Sequence, residues 1–241
     1  MDRVALRSRT RDYLLESGTE KYTDASLNDW LNEGYVDVCR RTGALHGYHD
    51  FNSVDNTSEY VLPDDLVIIR AVLWDPLVTN RWLVPARPFE IEQADPRWRN
   101  RVKGTVSSYT VIGLRGLVLH RAPTTVTKVR IWGSWVPRSG SSNIDGPDLD
   151  GTGINYMTSD SHSPVLPEAR HILLACFAAS RAAMTDPEDP AMVKRAEIYA
   201  AMYERGVQEM KSEVESAVGV GPVMGFPRPA QMPSLPFPWE V

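Results

Sequence analysis

The chain has 241 residues, 42% of them hydrophobic and 24% charged, with a net charge of -5 at pH 7 and a pI near 5.6. That length suffices for one large domain or two small ones with a full core, while the acidic balance argues against a dedicated duplex-binding surface, which needs a basic excess on some face. Arg3, Arg7, Arg9 and Arg11 interrupt the first segment and no long apolar run follows, so neither a signal peptide nor a membrane span is expected.

Residues 3–16 place Leu6, Thr10, Tyr13 and Leu14 at helical spacing, with Gly18 as the stop. Arg3, Arg7 and Arg11 stand one turn apart on this helix, a basic stripe suited to an acidic partner surface or a nucleic-acid backbone. A second helix opens at Thr23 and Asp24, which are good capping residues, sets Leu27, Leu31, Gly34 and Val38 on one face, and ends at Gly43. Gly34 on the apolar face permits close approach of a neighbouring helix. Cys39 here, and Cys176 further on, read as buried reduced thiols.

From about Tyr48 the pattern turns to β-branched and aromatic runs: Tyr60 to Leu62, Leu66 to Trp74, Arg81 to Val84, Ser108 to Ile112, Leu117 to His120 and Val126 to Val136. Pro63 sets a corner whose carboxylates, Asp64 and Asp65, are expected to stay wet. The charged stretch Phe89 to Arg101 has room for a helical turn or two. Ser139 to Ser163 is dominated by Ser, Asp, Gly and Asn and reads as a long polar loop. Pro167 suits the first turn of a helix carrying Ile172 to Phe177, which the Asp186-Pro187 pair ends. A last helix, about Pro190 to Ala217, spaces Met192, Ala196, Tyr199, Tyr203, Val207 and Met210 as a continuous seam.

Gly219 to Val241 contains Pro222, Pro227, Pro229, Pro233, Pro236 and Pro238, which exclude a helix or a central strand. Its Phe226, Met232, Leu235, Phe237 and Trp239 are too apolar for a solvated tail, so this is an arm for a partner's groove or, alternatively, a strap lying across its own domain. The whole is an α+β fold. Helices from 1–47 and 164–218 form a bundle, with an inserted small β region (48–137), a polar loop (138–163) and an extended Pro-rich arm (219–241).

Catalytic signatures are missing from the sequence: it holds no Gly-x-Ser-x-Gly elbow, phosphate-binding Gly-rich loop or His-Glu-x-x-His helix. Catalytic, cofactor-binding and metal-binding residues are therefore assigned to none, and the chain is expected not to be an enzyme. His46 and His49, placed in a loop beside Gly47 and Tyr48, lack further zinc ligands nearby. Asp148 to Gly153 copies half a calcium loop, but the closing glutamate position falls on Ser159. Trp74, Trp82, Trp98, Trp132 and Trp135, in or beside the β region, support an alternative function, a carbohydrate- or receptor-binding module.

Several phrases, in order, resemble the head-to-tail adaptor (connector or neck) proteins of tailed bacteriophages. They are Tyr22-Thr23-Asp24 leading into Leu27 to Tyr35, Glu59 to Leu66, Pro164 to Glu168 with His171, and the Tyr199 to Val207 helix. The resemblance covers most of residues 3–211. It implies a structural protein of the virion, assembled in the host cytoplasm. It also implies a homo-oligomeric ring, usually twelvefold, between the portal protein and the tail or nozzle protein, continuing the channel for genomic DNA. The 219–241 arm would dock on the portal.

Overall fold

The computed structural model describes residues 1–16, 21–75, 77–96, 98, 103–113, 115–138 and 156–220. Helices and sheets both contribute, giving a mixed α+β protein. Helix α1 spans Arg3–Leu14; the Asp2 side chain accepts from the Ala5 amide at its start, and Leu15, at φ 57°, closes it in the left-handed region. The stop therefore precedes Gly18, which lies outside the described residues. Helix α2 spans Asp24–Thr42, with Thr23 accepting from the Ser26 amide and Gly43, at φ 62°, ending it. That glycine relieves the steric cost of the left-handed turn.

Among the described residues the β part holds eight strands: β1 (His46–Asn52), β2 (Glu59–Val61), β3 (Leu66–Trp74), β4 (Arg81–Trp82), β5 (Val84–Pro85), β6 (Ser108–Ile112), β7 (Gly116–His120) and β8 (Lys128–Trp135). They form two four-stranded sheets, ordered β1-β8-β3-β4 and β2-β7-β6-β5. All pairs are antiparallel except β5 with β6. Val72, Val129 and Ile131 from the first sheet meet Tyr109, Leu117 and Leu119 from the second in one buried cluster. Such a sheet-on-sheet core needs alternating inward side chains from both layers. The short helix α3 (Pro88–Ala94) covers the outer face of the second sheet, where Ile91 and Trp98 bury Val118.

His46 and His49 lie on β1, paired with Ser134 and Ile131, rather than in a loop. Pairing with β8 supplies the strand character that a polar sequence does not announce by itself. At the Pro63 corner only Asp64 stays wet. Asp65 is 3% exposed and lies 3.5 Å from the Arg138 guanidinium, because its backbone carbonyl closes onto the Val136 amide and draws it under the sheet edge.

Pro167 caps a short 3-10 turn, Glu168–Arg170, ahead of helix α4 (Ile172–Ala183). Helix α5 runs over Pro190–Val220, three residues further than its seam suggests. Helix α4 is central: Leu174, Ala175 and Ala178 are fully buried, and α1, α2 and α5 all pack against it. A Cβ added to Gly34 would lie 2.9 Å from the Phe177 ring, so α2 and α4 approach as closely as the sequence suggests. Gly206 is pressed against Leu173 in the same way between α5 and α4. Trp135, fully buried at the end of β8, enters the helical cluster with Leu45, Val136 and Met157. Half-buried Leu66 packs against both this cluster and the one between the sheets.

Candidate functional site

The basic stripe of α1 is turned inward. Arg3 donates to Asp160 at 2.8 Å and to the Met157 carbonyl oxygen at 2.8 Å. Arg7 donates to the same Asp160 oxygen at 2.9 Å and to Asn28 at 3.1 Å. Arg11 pairs with Glu16 at 2.8 Å and Asp24 at 2.7 Å and donates to the Tyr22 carbonyl oxygen at 3.0 Å. Each of the three side chains is only 12–13% exposed. The hydrogen bonds from Arg7 and Arg3 hold the Asp160 carboxyl below its ordinary range. These guanidiniums tie α1 to the start of α2 and to residues 157–160. The end of the polar loop is therefore packed, with Met157 buried and its amide donating to Asn32 at 3.0 Å. Sequence reasoning missed Asp160 as the hub, since nothing local links it to α1.

A second constellation lies where α2, α4 and α5 meet. They enclose an open groove of about 860 Å³, floored by Val36, Phe177, Met184, Ala200 and Tyr203. Phe177 and Tyr203 stack edge to face with centroids 5.1 Å apart. Tyr203 donates to Asp37 at 2.6 Å, while Arg41 bridges Asp37 and Glu204. Burial, then the neighbouring Asp37 carboxylate, pushes the Tyr203 phenol far up, and the Arg41 hydrogen bond holds Glu204 below its ordinary value. Arg181 lies over the Phe177 ring at 5.2 Å. The groove thus has an aromatic floor and a charged rim.

The tryptophans of the β part divide between the interior and one sheet face: the pairing of Leu73 with Trp82 and Arg130, and of Ala71 with Trp132, sets Trp82 and Trp132 on the same face of the first sheet. Trp98 and Trp135 are buried, Trp132 tilts at 51° against Tyr48, and Trp82 sits half-buried on the short β4. Among the described residues no group of three His, Cys, Asp or Glu side chains gathers as metal ligands, and no helix is long and apolar enough to cross a membrane. Asp148 to Gly153 lie outside the described residues, as do Phe226, Met232, Leu235, Phe237 and Trp239. The path toward them is visible. Met210 is the last buried residue of α5, and 211–217 are exposed except for half-buried Val214, so the helix runs on beyond the core. Arg170 pairs with Glu209 and Glu213 along that run.

The model of the SU10 adaptor protein family matches residues 1–224. The chain belongs to that family. SU10 adaptors are a phage head-tail adaptor family, one of structural proteins rather than enzymes. Membership supports a structural adaptor role for the chain and a place in the virion. No curated protein matches the chain. The SU10 adaptor match spans both helical segments and the β part between them, so the two sheets belong to the family's body.

Proposed function

We propose that this SU10 adaptor assembles as a ring, twelvefold by the resemblance, that joins the capsid portal to the tail or nozzle and continues the DNA channel. The observation that carries this is the pairing of a family match over residues 1–224 with a helix, α5, that leaves the core after Met210 and leads into the Pro-rich segment. Phe226, Met232, Leu235, Phe237 and Trp239 then anchor the arm on the portal, since large apolar side chains in desolvated pockets dominate interfaces. Once the ring has seated, each arm is tethered, and its docking is effectively intramolecular. Genomic DNA passes without specific binding, consistent with the net charge of -5. Arg3, Arg7 and Arg11, engaged within the chain, act by holding α1 to α2 rather than by reaching out.

Truncation after Val220 tests this. The shortened chain is expected to keep its fold and ring mass but to be lost from filled, portal-bearing capsids. Normal retention on capsids with normal infectivity would sink the arm's role, and a monomer at every concentration would sink the ring.

A further inference from the structure

The groove between α2, α4 and α5 has direction as well as chemistry. Leu27 clusters with Met192 and Ala196, while Asp37 meets Tyr203 and Arg41 meets Glu204, so α2 and α5 run the same way. Ala183 packs near Met192 and Leu173 against Gly206, so α4 runs opposite to them. The Glu204 end of the groove thus faces Val220, where the described helix stops, and the Arg181 end lies furthest from it. From Asp29 to Arg41 the groove is about 18 Å long at a rise of about 1.5 Å per residue.

The following residues match that geometry. Glu204 lies sixteen residues before Val220, about 24 Å back along α5. Extended at about 3.1 Å per residue, the thirteen residues from Val220 to Pro233 span up to about 40 Å, enough to turn and reach it. The seven steps from Pro233 to Glu240 then cover about 22 Å, enough to span the groove of about 18 Å. This stretch holds Leu235, Phe237 and Trp239 between prolines, the pattern that aromatic-lined grooves bind as polyproline II. Glu240, the sole acidic residue of 221–241, arrives at Arg181. Arg181 is exposed and has no carboxylate partner among the described residues. The nearer stretch fits less well: Phe226 and Arg228 lie six and eight residues past Val220, at most about 25 Å, short of the aromatic floor once the chain has turned.

We infer that residues 233–240 of the same chain occupy the groove between α2, α4 and α5, with Glu240 on Arg181. This goes beyond the adaptor reading and holds whether or not the same residues later meet a portal. Where they do, docking is an exchange of one groove for another, and Leu235, Phe237 and Trp239 stay out of water beforehand.

The test is a pulsed electron-electron distance measurement on the full chain, with nitroxides on Arg40→Cys at the groove rim and Ser234→Cys, a polar position between the anchors. Cys39 and Cys176 are buried, and burial pushes the Cys176 thiol up to about 11, so labelling falls on the introduced sites. Doubly labelled chain is diluted into unlabelled chain. The expected result is one narrow distance of about 20 Å, set by a groove one helix diameter wide with a label on each side. It should broaden in Arg181→Glu and return in the charge swap Arg181→Glu with Glu240→Arg. A broad distribution in the parent, a narrow one that Arg181→Glu leaves unchanged, or a short distance lost on dilution, which would mean a neighbour's segment, each overturns the inference.

Discussion

Replacing Gly34 by alanine isolates the contact between α2 and α4. In an unobstructed helix the change stabilises by about 1 kcal/mol, because glycine loses more backbone freedom on folding. Here the new Cβ would meet Phe177 at 2.9 Å (Cδ1), 3.0 Å (Cγ) and 3.1 Å (Cβ). The ring can turn aside only partly, since Tyr203 stacks on it, and the Phe177 Cβ moves only with the α4 backbone. Overpacking of this kind costs about 1–3 kcal/mol. The net is a destabilisation of roughly 0–2 kcal/mol, or up to several degrees in Tm at about 2–4 °C per kcal/mol for a chain of this size. Phe177→Ala removes the Cδ1 and Cγ contacts, so in that background Gly34→Ala should recover most of its helix gain. Urea unfolding of the four chains, followed by helical circular dichroism, gives the coupling directly. If Gly34→Ala stabilises the parent as much as the Phe177→Ala chain, the close approach of α2 and α4 is wrong.

His171 is 4% exposed and its Nε2 donates to the Leu166 carbonyl oxygen at 2.8 Å; burial lowers its pKa below the ordinary 6.5. Below pH 6.5 the unfolded chain therefore binds the proton first, and stability should fall as pH drops from about 6.5 through the folded pKa, with no pH dependence from this group well above 6.5. A Tm that stays level in the parent from pH 7.5 to 5, or falls equally in His171→Gln, would contradict this. Asp160→Asn leaves Arg3 and Arg7 without their shared carboxylate. Amide exchange over residues 157–163 should accelerate while α4 keeps its protection, and unchanged exchange there would show that the clamp does not hold that segment.

Much of the fold was legible locally. The periodicity of Leu27, Leu31 and Val38, the cap at Thr23 and the stop at Gly43 place α2 to the residue. Most strands announced themselves by β-branched and aromatic runs. β1 did not, because His46 to Asn52 alternate weakly and become a strand only by pairing with β8 more than seventy residues away. The adaptor resemblance was also legible, as ordered phrases that the family match then covered.

What the sequence alone determined was the helices, most of the strands and the chemistry of the last stretch, since backbone preference, capping and proline's missing donor act within a few residues. Tertiary structure decided where the charges and grooves went. Arg3, Arg7 and Arg11 form a stripe by spacing, but Asp160, more than 150 positions on, turns Arg3 and Arg7 inward, while Glu16 and Asp24 hold Arg11. Asp65 sits in a polar turn by sequence, yet is buried beside Arg138 once β3 and β8 pair. The aromatic floor of Phe177 and Tyr203 exists only where three helices meet. A side chain's charge is written in its residue type; its partner is chosen by which distant segments the core brings within a few ångströms.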